Sequence, residues 1–119
     1  MLVRSLSSSV LTWPDAQEVG QAVRRGAERV GRAHPQVVRI GYFGSYARGD
    51  WGPGSDLDMI MIVHGSEEPF ERRAARWDAT ALPVPVELLV YTKAEWEGMA
   101  PRSRFYQTVM GEAIWVYVR

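Results

Sequence analysis

The sequence contains no cysteine, which excludes disulfides, thiolate metal sites and a cysteine nucleophile together. It has two histidines, His34 and His64, placed so that no Ser-His-Asp arrangement can be argued. Neither sign of charge is in excess, since 14 basic and 14 acidic residues give a formal net charge of zero. Attachment to nucleic acid or to an anionic membrane by bulk charge is therefore not expected. No apolar stretch reaches the length of a membrane span, and the first ten residues are too polar for a secretory leader. A soluble, cytoplasmic protein is expected. Lysine is nearly missing, with Lys93 alone beside thirteen arginines; this bias carries no functional reading.

What is present suits a packed core: 119 residues, 46% hydrophobic and 24% charged, the size of one domain spanning 1–119. A short edge strand is expected around Val10-Leu11. Thr12 or Trp13 is positioned to cap a helix with Pro14 at its first position, in which Ala16, Val19, Val23, Ala27 and Val30 recur at helical spacing. His34, before Pro35, is expected to cap its last carbonyls. Strands are expected at 36–43, 56–64, 84–91 and 113–118, with a short helix at 44–49 and a glycine-rich loop at 50–55. A helix is expected over 69–80, with Phe70, Ala74 and Trp77 on one stripe, and two more at 93–100 and 102–110, broken at Pro101. These elements imply an α/β (α+β) domain with a mixed sheet of about four to five strands covered by helices. The link between the second and third strands is long enough for a parallel crossover, whereas the first two strands can pair in either direction.

The stretch 44–63, GSYARGDWGPGSDLDMIMIV, places two carboxylates at the mouth of an apolar run. On a strand Asp56 and Asp58 share a face, roughly 6–7 Å apart. Like charges so close raise one another's pKa unless a cation lies between them. Oxygen-only ligands suit a hard ion such as magnesium, and two-metal phosphoryl-transfer sites need carboxylates able to bridge ions ~3.5–4 Å apart. Glu87 is the best third acid, since it interrupts the otherwise apolar Val84-Pro-Val-Glu-Leu-Leu-Val90. The plain alternatives are a solvated strand end for the aspartates and an edge residue facing water for Glu87. Upstream, Gly44-Ser45 offers free N–H groups and a hydroxyl suited to phosphate; alone it could equally be a turn and a helix cap.

Gly44-Ser45, ten intervening residues and Asp56-Leu-Asp58 resemble the GS-x10-DxD signature of the DNA polymerase β-like nucleotidyltransferases. The surrounding Gly-Ser-Tyr-Ala-Arg-Gly and Ser-Asp-Leu-Asp look like the minimal nucleotidyltransferases, single small domains that often serve as the antitoxin of a toxin–antitoxin pair. The resemblance covers residues 14–118. It implies that Asp56 and Asp58 bind magnesium, two ions in all, that Glu87 completes the metal site where many relatives carry aspartate, and that Gly44 and Ser45 hold nucleotide phosphates. The implied reaction transfers a nucleoside monophosphate, AMP from ATP, to an acceptor hydroxyl, with Glu87 also able to take the acceptor's proton. The implied partner is a small helical toxin of the HEPN type. Two rival functions stay open: an antitoxin acting by contact alone, and a nucleotide-binding regulator without transfer activity.

Arg48 can meet a triphosphate or brace the loop against Asp50, which is also the next acid to consider should Glu87 fail. Tyr42 and Tyr46 flank the Gly-Ser turn and can line a base pocket, with core packing the plainer role. Arg72, Arg73 and Arg76 are expected to form a solvated basic face, and His64 to lie on the surface. Trp96, Phe105 and Tyr106 are expected to cover the sheet or to meet a second copy of the chain.

Overall fold

The computed structural model describes residues 13–119, so the strand expected around Val10-Leu11 and a cap at Thr12 lie outside the described residues. Helix α1 spans Ala16–Ala33, and its cap is Asp15 rather than Trp13. The Asp15 carboxylate accepts the Glu18 N–H at 2.8 Å while the Glu18 carboxylate accepts the Asp15 N–H at 3.1 Å. Two helix-end donors are thereby satisfied reciprocally. The helix closes as His34 donates its backbone N–H to the Val30 carbonyl at 2.9 Å, leaving the His34 ring edge-on against Trp77.

The chain continues through β1 (Val37–Phe43), α2 (Ser45–Arg48), β2 (Leu57–Val63), α3 (Phe70–Arg73) with a 3-10 turn (Ala74–Arg76), β3 (Val86–Thr92), α4 (Lys93–Met99), α5 (Arg104–Glu112) and β4 (Ile114–Val118). The four strands form one sheet in the order β3-β2-β1-β4. β2 and β3 are parallel, as expected, while β1 is antiparallel to both β2 and β4. The mixed α+β architecture read from the sequence is therefore the one observed.

β2 is apolar from Met59 onward because it is covered on both faces. Met59, Met61 and Val63 pack with Val19, Val23 and Ala27 of α1, whereas Ile60 and Ile62 pack with Trp96 of α4 and Val109 of α5. Phe105 and Tyr106 join that second layer, in the sheet-covering role expected of them. Among the described residues no helix is long and apolar enough to cross a membrane.

The segment 69–80 departs from expectation. Its α-helix ends at Arg73 and its 3-10 turn at Arg76, where Trp77 becomes extended at φ −112° and ψ 129°. That turn releases the Trp77 ring from the Phe70 stripe, to pack against the α1 side of the core. Asp78 then accepts the Thr80 N–H and hydroxyl, fixing a local turn. Nor do the arginines share a solvated face. Arg73 is 7% exposed and donates to both Glu95 carboxylate oxygens at 2.6 and 3.0 Å, to the Val90 carbonyl at 3.2 Å and to the Glu68 carbonyl at 2.9 Å. Arg76 pairs with Glu68, and only Arg72 projects freely into solvent, with no ion pair to any described residue.

Candidate active site

The start of β2 lies between two neighbours in strict register: Phe43 at the end of β1 pairs with Asp58, and Asp58 pairs with Glu87 near the start of β3. Residues opposite one another in a sheet share a face, so Asp58 and Glu87 stand side by side, on the face that α4 and α5 cover further along. Asp56 precedes the strand by one residue and is exposed; Asp58 is half-buried; Glu87 is exposed on the edge strand. Burial pushes the Asp58 carboxyl above its ordinary value, the charges of Glu87 and Asp56 add to that, and Arg48 opposes it. The desolvated acid is thus Asp58, and Glu87 is not a buried charge whose removal would relieve the fold.

Gly44 is required by geometry. It adopts φ 76° and ψ −153°, a region that side chains all but exclude, and a Cβ built there would lie 2.3 Å from Asp58 Oδ2. The close approach that demands glycine is therefore to Asp58 itself. The Gly44 carbonyl accepts the N–H groups of Ala47 and Arg48 at 3.0 and 2.9 Å, which winds the single turn of α2. Ser45 opens that turn, and its hydroxyl makes no hydrogen bond to any described residue. Arg48 donates to Asp50 at 3.1 Å and to Glu112 at 3.3 Å, so it does brace the loop. Asp50 is exposed and engaged in that pair. Tyr42 and Tyr46 are buried; Tyr46 stacks on Trp51 and accepts the Trp13 indole N–H at 2.8 Å, so both tyrosines serve the core.

Glu112 is the residue that sequence reasoning missed. Its carboxylate accepts the Gly44 N–H at 2.6 Å. The β1–β4 register explains why: Tyr42 pairs with Ile114, and two further steps along each chain bring 112 opposite 44. The only signal in the sequence was an acid just ahead of the last strand, uninformative until that strand's partner was known.

A family model for the nucleotidyltransferase domain matches residues 23–116. The chain belongs to that family. This nucleotidyltransferase is similar to a candidate nucleotidyltransferase from Sulfolobus solfataricus, with TM-score 0.61 and 20% identity over 87% of this chain and 84% of that one. It is also similar to a toxin–antitoxin crystallised with AMP-PNP, with TM-score 0.56 and 21% identity over 81% of this chain and 73% of that one. A mutant MntA–HpeT toxin–antitoxin gives TM-score 0.54 and 18% identity over the same shares, 81% and 73%. At these identities the solved structures speak for the fold. No curated protein sequence matches significantly.

Nucleotidyltransferases as a family generally use divalent metals, so the residues here were tested against that chemistry. Among the described residues no group of three or more His, Asp or Glu side chains is placed to hold a metal ion. The donor set of this nucleotidyltransferase fits a hard cation all the same. Asp56, Asp58 and Glu87 offer oxygen alone, and the charges of Asp56 and Glu87 act against ionised Asp58, a repulsion that a bound cation reverses.

Proposed function

We propose that this nucleotidyltransferase transfers AMP from ATP to an acceptor hydroxyl, with magnesium held by Asp56, Asp58 and Glu87. We further propose that it acts as the antitoxin of a helical HEPN-type toxin. The observation that supports the chemistry is the packing of the half-buried Asp58 between the Gly44 turn and Glu87. One carboxylate is thereby within reach of both the phosphate-binding backbone and the third acid. Bound magnesium, two ions by family likeness, would neutralise charge on the phosphates and lower the acceptor's pKa. Gly44 and Ser45 would orient the phosphates through a backbone N–H and a hydroxyl, and Arg48 would add a positive charge beside them. The acceptor oxygen forms its bond to the α-phosphorus as the bond to the β-phosphate bridging oxygen breaks. Pyrophosphate leaves, and the acceptor proton passes to a Glu87 carboxylate oxygen. The antitoxin role draws support from the two toxin–antitoxin structures that share this fold.

The test is pyrophosphate release from ATP and magnesium in the presence of the toxin partner. Asp58→Asn should lower it about 10²–10³-fold, the usual cost of removing one electrostatic contact to the reacting phosphate. Full activity in Asp58→Asn would remove the site, and neutralisation by Asp56→Ala without transfer would leave an antitoxin acting by contact alone.

A further inference from the structure

Among the donors that the reading above assigns to the nucleotide's phosphates are the Gly44 N–H and the Arg48 guanidinium. Both are held in this structure by one side chain, 68 residues beyond Gly44 and 64 beyond Arg48. Glu112, the last residue of α5, accepts from Gly44 N at 2.6 Å and from Arg48 Nη1 at 3.3 Å, with its side chain 19% exposed. A carboxylate is an expensive choice here. Its charge acts on Asp58 in the same unfavourable sense as those of Glu87 and Asp56, so a fourth acid has been brought towards three others. A tie needed only for architecture would be met by a neutral acceptor, such as glutamine, without that repulsion.

We propose that Glu112 is an internal competitor for the nucleotide's phosphate, occupying its donors until the nucleotide displaces it. This rests on the nucleotide reading. A carboxylate is the side-chain group nearest a phosphate oxygen pair in charge and hydrogen-bonding capacity, so it holds the turn shaped for an anion while denying it to weakly charged ligands. A triphosphate accompanied by magnesium offers the turn more acceptor oxygens than Glu112 does. It also brings a cation to the acids beside the turn.

The experiment has two readouts on wild type, Glu112→Gln and Glu112→Asp. In the free proteins, the Gly44 amide proton should resonate far downfield in wild type and move upfield in Glu112→Gln; an unmoved resonance overturns the contact. In calorimetric titration with magnesium and AMP-PNP, Glu112→Gln should bind about tenfold tighter than wild type, as expected for loss of one charge-assisted competitor. Glu112→Asp, with the charge kept on a shorter arm, should fall between, and it decides the matter if melting curves show Glu112→Gln to be unfolded. Equal or weaker binding by the variants, with wild type still binding, overturns the competitor and leaves the nucleotide reading standing. Absence of binding by wild type overturns both.

Discussion

The two ends of the β2–β3 pair treat charge in opposite ways. At the far end, beyond Val90, the Arg73 guanidinium is buried and every contact it makes is favourable, and its fork onto Glu95 holds that carboxyl down to about 2. At the near end, Asp58 is half-buried among acids and its carboxyl is pushed up. Both ends of the same two strands dehydrate an ionisable group, yet only the far end pairs it directly with a counter-charge, Arg48 acting on Asp58 without bonding to it. Complete pairing is what a structural lock requires, and a net repulsion among acids is compatible with the cation site proposed above. The contrast also favours the near end as the proposed site over a choice made on pocket shape. A cavity of about 250 Å³ lies at the far end, against Val63, Arg73 and Val90, where the arginines that line it are already spent on Glu95 and Glu68.

The strongest way to break the contrast is to remove the lock. Arg73→Leu should cost about 3 kcal/mol in chemical denaturation, the low end for a broken buried pair because Glu95 still reaches water. A loss under about 0.5 kcal/mol, the level of an ordinary surface change, would make the two ends alike. Next comes Gly44→Ala, expected to cost about 1–3 kcal/mol from its backbone conformation, with a further penalty from the contact with Asp58. Adding Asp58→Ala should recover the contact penalty and leave the backbone cost, which separates the two causes by a double-mutant cycle.

The smallest effects are in pH. Asp58 has a raised folded pKa, so its charged form weakens the fold at neutral pH, and that burden lifts as pH falls through the raised value towards 3.8. Asp58→Asn should therefore raise stability at pH 7, by less than about 1 kcal/mol given its partial exposure. Glu95 has the opposite sign: its contribution is complete above 4.5 and is lost as pH falls towards about 2. Denaturation curves between pH 7 and 2 on wild type, Asp58→Asn and Glu95→Gln should show the two slopes diverging, and parallel slopes would remove the distinction.

Strands could be read from the sequence because their apolar runs are long and uninterrupted, as in Met59 to Val63. The acids proposed for the site stood out against the same runs, Asp58 and Glu87 within them and Asp56 just ahead of one. Pairing partners were not legible, and every miss in the site follows from that. Glu112 gains meaning only when β4 lies against β1, and Arg73 only when α3 lies over β3 beside Glu95. The 69–80 stripe misled because Ala74 and Trp77 are both half-buried, but Phe70 stays exposed and Trp77 reaches the core by leaving the helix. Asp15 was overlooked as a cap because Pro14 at the first helical position is the commoner pattern.

The placement of Lys93 has a practical consequence. It opens α4 directly after the last residue of β3, so it follows Glu87 by a strand length of about 16 Å to Thr92 at ~3.3 Å per residue. As the only lysine in the sequence, it is the one side chain open to amine-directed coupling. Immobilising or labelling the protein through Lys93 would attach it by the locked end and turn the acid end outward, with no lysine beside the acids to be blocked.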